Sequence, residues 1–356
     1  VTFPLGWILE HGSAPLQYRA ITEVARLDVD QDRAAALILS FKPALRLALA
    51  QSLTGVWNDA LLTVPGEGED PYRTVGTIPA YRRLLEYGWD RESPPCLHAR
   101  RILFRLLAQD DDASLLFELA EQAGDDPDLI HHSRIVVREA AAAALAQAGY
   151  EGDPRLRGAA LRILHRVDSF LRSPLASKPW TRVGNKHVLA PEAAPPSIHV
   201  LMMFAHMPLF RSEHHAQIDS LYAWVSQPRP RQESQQLVGS HIVPQPHLVL
   251  GDELSTRSSA DADVPFALLW LELMARLGFL RRNPTWLSLF ERFLDDRDRD
   301  FVWHPHRGTA VPRSSHPAVW PMFPLDTNGE GEERWTDVTF RLGLIARLLG
   351  RPIELV

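Results

Sequence analysis

Cysteine is almost absent from this chain of 356 residues, because Cys96 is the single one. One cysteine cannot form an internal disulfide bond, and it cannot build a cysteine-rich metal site. The chain therefore fits a reducing compartment, and a cytoplasmic location is expected.

The sequence also lacks an excess of positive charge and a long apolar run. Its 38 Lys and Arg residues against 44 Asp and Glu residues give a formal charge of -6 without a long basic stripe, so nucleic acid is not an expected partner. No basic segment followed by a sustained apolar stretch opens the chain, and a secretory signal is not expected. Its most apolar windows, residues 198–210 and 265–280, contain His, Glu or Arg, so no integral membrane span is predicted. Peripheral membrane contact stays open.

Apolar residues recur at helical spacing through most of the chain, whereas the alternation typical of strands is scarce. Helical segments follow one another closely in a first half, about 1–173. The second half, about 174–356, contains long connections around 180–196, 239–261 and 303–326. Because long loops in compact domains are often functional, these three are predicted to line one rim of the molecule.

The segment "QSLTGVW" combines Gln51, Gly55 and Trp57 at the spacing Gln-x3-Gly-x-Trp. It resembles the QW motif of the terpenoid cyclase and protein prenyltransferase superfamily, and other helix-and-loop segments look like small bacterial squalene-cyclase-like proteins. The resemblance implies that Gln51 caps a helix end, that Gly55 permits a turn with positive φ, and that Trp57 stacks on the Gln51 amide.

The resemblance also implies a fold. Residues 1–356 are predicted to form one all-α domain, a single α/α toroid in which paired helices form a barrel. A HEAT-like α-solenoid is the alternative, since helix pairs recur at a loose period. Around Trp303 the motif is degenerate, because Arg297 and Phe301 replace Gln and Gly, and weaker capping is expected there.

The acidic pair Asp261 and Asp263 stands directly before an apolar helical segment that contains Trp270. The pair resembles the Asp-x-Asp-Asp-Thr-Ala motif of proton-initiated terpene cyclases, which implies that Asp263 donates a proton and that Asp261 matches the first Asp. Val264 and Pro265 stand where that motif has Asp and Thr. A carboxyl that protonates carbon must be held protonated, and Asp261 supplies a like charge. The alternative is that Asp263 is the N-cap of the helix.

Histidines concentrate in the second half of the chain, and several lie in its long connections. These are His241, His247, His304, His306 and His316. With Trp303 and Trp270, the residues His247, His304 and His306 are predicted to bind substrate. No His-Glu-x-x-His spacing is present, and neither a metal nor a cofactor is predicted.

Two functions follow from these observations, and sugar chemistry in an α/α barrel that uses two carboxylates stays open as a third. The first is that of an enzyme acting on an apolar or isoprenoid-like small molecule, a cyclase-like lyase or isomerase with Asp263 as its acid. The second is that of a non-catalytic toroid that binds a lipid, a peptide or a protein partner. Aromatic residues make up only 8% of the chain, which is few for a cavity that stabilises carbocations by cation–π contacts. The sequence does not define an oligomeric state.

Overall fold

A computed structural model describes residues 1–66, 68–108, 112–306, 308, 310–325 and 331–356. Side chains at positions 31, 32, 113 and 332 lie outside this description. The described residues are rich in helix and contain a small amount of sheet. Among the described helices, none is long and apolar enough to cross a bilayer.

The helices are numbered in chain order. They are α1 (Leu5–His11), α2 (Ala14–Arg19), α3 (Gln31–Leu39), α4 (Lys42–Leu49), α5 (Pro71–Thr74), α6 (Thr77–Glu86), α7 (Pro94–Leu107), α8 (Glu118–Ala123), α9 (Pro127–Gln147), α10 (Pro154–Leu171), α11 (Ile198–Ala205), α12 (Pro208–Glu213), α13 (His215–Val225), α14 (Arg257–Ala262), α15 (Val264–Arg276), α16 (Pro284–Asp295) and α17 (Thr336–Leu348). A π-helix, Ala20–Ala25, extends α2, and short 3₁₀ turns cover Ala113–Leu116, Pro174–Ala176, Leu280–Arg282 and Gly331–Trp335.

The strands form two small sheets. They are β1 (Thr2–Phe3), β2 (Trp180–Val183), β3 (Lys186–Leu189), β4 (Gln235–Val238), β5 (His241–Pro244) and β6 (Glu354–Leu355). Strands β1 and β6 pair in parallel near the two ends of the chain. The other sheet has the order β2-β3-β4-β5, with antiparallel hairpins at both edges and a parallel contact between β3 and β4.

These hairpins correct the expectation of an all-α chain. Residues 174–197 and 228–263 were both predicted to be long connecting loops. Each instead contains two strands that reverse at a glycine with positive φ, Gly184 or Gly239. Strands of four residues are too short to display a clear period of two, so the sequence pattern did not reveal them.

Several helices are buried around their whole circumference and form the centre of the core. They are α6, the second half of α9, α11, α15 and α17. Helix α9 packs against both α6 and α11, and α15 packs against both α11 and α17. Helix α17 in turn contacts α2 and the π-helix that follows it. Helices α7, α10, α13 and α16 present one buried face each and flank this core.

The buried helices α6, α9 and α15 end in the same way. Each is followed by a glycine with positive φ, and the next residue donates its N–H back to a carbonyl of the helix, which is a Schellman-type end. The three donors and acceptors are Trp89 to Leu84, Tyr150 to Leu145 and Phe279 to Met274. A proline at the first position then begins α7, α10 and α16. This shared ending turns the chain from a buried helix to a flanking one.

Trp57 is completely buried at a turn between α4 and α6. Its indole N–H donates to the carbonyl of Leu47 at 2.7 Å, at the end of α4, and its backbone N–H donates to the hydroxyl of Thr77 at 3.1 Å. The Gln51 amide donates to the carbonyls of Gly55 at 3.0 Å and Pro95 at 2.9 Å. The motif therefore joins the end of α4 to the starts of α6 and α7.

The same turn occurs again before Trp303, although weaker capping was expected there. The N–H of Ser52 donates to the carbonyl of Val56 at 2.8 Å, and that of Asp298 donates to the carbonyl of Val302 at 2.9 Å. Gly55 has φ of 91° and Phe301, at the matching position, has φ of 64°. The N–H of Trp303 also donates to a threonine hydroxyl, that of Thr339. The degenerate segment thus keeps the turn without Gln or Gly.

Candidate functional site

A cavity of about 200 Å³ lies where α6, α9 and α11 meet two of the long connections. Its walls are mostly apolar, with Leu62, Ile78, Val136, Ile198 and Ala318 among them. Four side chains that can form hydrogen bonds interrupt this apolar lining: Arg82, His199, His247 and His316. We call this space the Arg–His cavity.

The start of α11 places His199 in the cavity wall. Ser197 caps the helix, because its hydroxyl accepts the N–H of Val200, and the same hydroxyl donates to the buried carboxylate of Glu139 on α9. The N–H of Ile198 donates to the carbonyl of His247 at 2.8 Å. These bonds fix α11 against the connection after β5, and the rings of His199 and His247 stack with centroids 6.2 Å apart.

The cavity histidines are neutral at pH 7. Burial lowers the pKa of His247 to about 4 and lowers the pKa of His199 well below its usual value, and neighbouring positive groups add to both effects. Burial also lowers the pKa of His316. An imidazole in this form offers one N–H donor and one nitrogen acceptor.

His316 differs from the other two because both of its ring nitrogens are engaged. Its Nδ1 accepts the N–H of Ala318 at 3.2 Å, so the proton is on Nε2, which faces the carbonyl of Pro246. Within the described part of the chain, the rings of His199 and His247 have no hydrogen-bond partner. His316 therefore holds two connections together, whereas His199 and His247 are available to a ligand.

Arg82 is the cationic group of the cavity. Only 6% of the residue is exposed, and its Nε–H donates to the Gln147 amide oxygen at 2.8 Å. The amide nitrogen of Gln147 donates in turn to Glu86 at 2.7 Å. Burial lowers the pKa of Arg82 to about 10, against the opposing effect of Glu86 and Glu272, so Arg82 remains charged at pH 7.

A buried ion-pair network lies beside Arg82. Glu86 accepts hydrogen bonds from Arg19 and Arg341, and Arg341, which is fully buried, also donates to Glu272 at 2.8 Å. These arginines hold the pKa of the Glu86 carboxyl well below its usual value despite the opposing effect of burial. The network links α2, α6, α15 and α17, and it fixes one side of the cavity.

A larger space of about 1200 Å³ adjoins the Arg–His cavity. The two share Val64, His316 and Pro317 as lining residues. Residues 311–317 and 64–66 form much of the outer wall. A ligand that exceeds the inner cavity has room to extend outward past His316.

Asp263 is the N-cap of α15. Its Oδ1 accepts the N–H of Phe266 at 2.9 Å, and its Oδ2 accepts the hydroxyl of Ser314 at 2.6 Å. The carboxylate also lies close enough to His316 to act on the pKa of that ring. Asp261 is exposed and pairs with Arg292 at 2.7 Å. The predicted acid is thus half-buried behind one wall of the Arg–His cavity, and its neighbour is at the surface.

The other predicted residues lie outside the lining of the Arg–His cavity. Trp303 and His306 line a second cavity of about 550 Å³ together with Asp261, and His304 contacts Asp298 at 3.0 Å and the ring of Trp335. Trp270 is fully buried against Trp286 in the core. The structure therefore brings His247 and His316 together and places His306 in a different cavity. Residues 307, 309 and 326 of the third connection lie outside the described residues.

The prediction from sequence missed Arg82 and His199. His199 stands on α11, an almost wholly apolar segment, whereas Arg82 stands on α6, whose sequence also contains Arg83 and Glu86 and whose burial is seen only in the structure. A charged or titratable residue in an apolar segment needs a specific partner or a ligand. In the sequence this signal was available for His199 and not for Arg82.

No family model, curated protein or solved structure matches the chain. Among the described residues, no group of three or more His, Cys, Asp or Glu side chains is placed to hold a metal ion. The geometry of the Arg–His cavity is therefore the basis for a functional assignment.

Proposed function

We propose that this protein binds a small, mostly apolar molecule in the Arg–His cavity. The observation that carries the proposal is the cavity itself, a concave, largely apolar space with a few convergent polar groups, which is typical of small-molecule sites. The proposal keeps the substrate class expected from the sequence and favours binding over catalysis.

The volume limits the ligand. An engineered protein cavity of about 150 Å³ binds benzene, so a space of about 200 Å³ suits a single ring or a short branched chain. A longer isoprenoid would have to extend into the outer space, which shares His316 and Pro317 with the inner cavity.

A fold of the α/α toroid type is part of the proposal. Its support is the succession of packed neighbours, from α6 through α9, α11 and α15 to α17. From α17 the succession continues to α2, and the ion pair between Arg19 and Glu86 connects α2 with α6. A closed ring of buried helices encloses a space between its members, which an open solenoid lacks.

Catalysis with Asp263 as proton donor is the second candidate, because Asp263 lies beside His316, a residue of the cavity wall. The Oδ1 of Asp263, however, accepts the capping hydrogen bond from the N–H of Phe266, and its Oδ2 accepts the hydroxyl of Ser314. A proton donor has to present its own hydrogen to the substrate. We therefore rank proton donation by Asp263 below ligand binding.

Filling the cavity tests the proposal. Ala318 is buried in the cavity wall, and Ala318→Phe should place a ring in the space where the ligand belongs. Titration calorimetry with toluene should show binding to the unaltered protein and loss of at least tenfold in affinity in the variant. The matched control is Ala216→Phe on the exposed face of α13, which should bind as before. Toluene binding that is as tight in Ala318→Phe as in the unaltered protein would reject the proposal.

A further inference from the structure

Arg82 is a buried cation without a carboxylate partner of its own. Its Nε–H is taken by Gln147, and within the described residues no hydrogen bond or ion pair engages its two terminal nitrogens. Desolvating an unpaired charge is costly, so buried charges are normally paired. Arg82 lines the Arg–His cavity. The cavity therefore has room for a partner of these nitrogens.

The ion-pair network around Arg82 has a net positive charge. The hydrogen-bonded cluster contains the arginines Arg19, Arg82, Arg276 and Arg341 and the glutamates Glu23, Glu86 and Glu272. Four cations thus face three carboxylates. Arg19 and Arg341 have direct ion pairs with Glu86, whereas Arg82 reaches Glu86 only through the amide of Gln147.

The two unpartnered imidazoles add neutral donors to the same wall. His199 and His247 lie side by side, and the positive charge of Arg82 contributes to the lowered pKa of His199. A positive field at His199 is unfavourable for a proton on the ring and favourable for an anion next to it. The cavity therefore combines one cation, two N–H donors and apolar walls.

We infer that the ligand of the Arg–His cavity is a small monocarboxylate, whose carboxylate pairs with the terminal nitrogens of Arg82 while its apolar part fills the space beside Ile78 and Ala318. This inference rests on the proposed function. A guanidinium matches a carboxylate in a planar, bidentate geometry. One excess positive charge balances a monoanion, whereas a phosphate dianion would bury a second, uncompensated charge.

A matched pair of probes tests the inference on the unaltered protein. Toluene and benzoate have the same ring, and only benzoate carries the anion. Charge-assisted hydrogen bonds raise affinity by roughly 10-fold to 100-fold, so titration calorimetry should show benzoate binding at least tenfold more tightly than toluene. Toluene binding without a preference for benzoate would overturn this inference and leave the proposed function standing. Failure of both probes to bind would overturn both.

Substitution of Arg82 tests whether this residue causes the preference for benzoate. Arg82→Met keeps the length of the side chain and removes its charge, and it should cancel the benzoate preference, so that the affinities for benzoate and toluene lie within about threefold of each other. The matched control is Arg83→Met, because Arg83 is also buried on α6 but donates to Tyr87 and to the carbonyls of Trp320 and Pro324. It should keep the preference.

Two results would contradict the role of Arg82. One is a benzoate preference that survives Arg82→Met. The other is a benzoate preference that survives Ala318→Phe, which would place the anion outside the cavity. If Arg82→Met does not fold, Arg82→Lys retains the charge but not the planar fork, and it should bind benzoate less tightly than the unaltered protein and more tightly than it binds toluene.

Discussion

Gln147 determines which nitrogens of Arg82 are open to a ligand. Its amide oxygen takes the Nε–H of Arg82, and its amide nitrogen is bound to Glu86. A carboxylate at this position would pair with Arg82 directly and remove its excess charge. The amide instead orients the guanidinium and leaves the charge in place. At the scale of single residues, this neutral bridge is what makes the cavity attractive to an anion.

Two substitutions of Asp263 test whether this side chain acts as a helix N-cap. The cap interpretation expects Asp263→Asn to change the free energy of unfolding by less than about 0.5 kcal/mol, because Asn is as good an N-cap as Asp, and Asp263→Ala to lower it by about 1 kcal/mol. Urea unfolding measures both. Asp153→Ala is the matched control, since Asp153 caps α10 in the same way. If Asp263→Asn proves as costly as Asp263→Ala, the capping role assigned here is wrong.

At the scale of elements, the turn around Trp57 is a junction of three helices. Trp57→Ala should lower the free energy of unfolding by about 3 to 5 kcal/mol, because it deletes a fully buried aromatic side chain. Trp57→Phe keeps a ring but loses the hydrogen bond to Leu47, and it should cost about 1 to 2 kcal/mol. Denaturant unfolding of both variants provides the comparison. Equal and small losses would contradict the buried position of the indole.

Helices were predictable from sequence where one face is apolar. Turns were predictable where the backbone conformation or the space around it admits only one type of residue. Gly55 is such a case, because a Cβ there would lie 2.9 Å from the carbonyl oxygen of His98. The matching turn at Phe301 was not foreseen to be intact, since its hydrogen bonds come from the backbone and carry no residue signature. The strands β2 to β5 were too short for their period to be visible.

The candidate site was less predictable than the fold. Asp263 was correctly foreseen as a possible helix cap, and His247 and His316 do meet at one cavity. Arg82 is a candidate ligand-binding residue because, among the described residues, its terminal nitrogens have no hydrogen-bond or ion-pair partner. This arrangement depends on residues distant in sequence, such as Gln147. Pairings across such separations leave no local pattern in one sequence.

At the scale of the whole molecule, the fold buries histidines as well as ion pairs. Burial lowers the pKa of His206 and His247 to about 4 and also lowers the pKa of His132, His199 and His316. Unfolded histidine has a pKa near 6.5. Below that pH the unfolded chain therefore takes up protons that the folded chain does not, and the free energy of unfolding falls.

Two carboxyls act in the opposite direction. Burial raises the pKa of Glu253 to about 7 and raises that of Asp252, so the folded chain holds protons there that the unfolded chain has released. Between pH 6.5 and 5 the three imidazoles with a strongly lowered pKa, those of His199, His206 and His247, outweigh the carboxyl of Glu253. The lowered pKa of Glu86 affects the free energy of unfolding only at lower pH, near and below the usual pKa of glutamate.

The free energy of unfolding should therefore fall as the pH drops from 7 to 5, as measured by urea unfolding at pH 7, 6 and 5. Between pH 7 and 5, His247 alone contributes on the order of 2 kcal/mol, because its pKa in the folded chain is about 4, the unfolded pKa is near 6.5 and each pKa unit corresponds to about 1.4 kcal/mol. Combining His199→Gln with His247→Gln should reduce the fall, because these side chains no longer titrate in either state. The same change at the exposed His215 serves as the control. A stability that stays level or rises toward pH 5 would show that the carboxyls dominate and that the imidazoles are not buried in their neutral form.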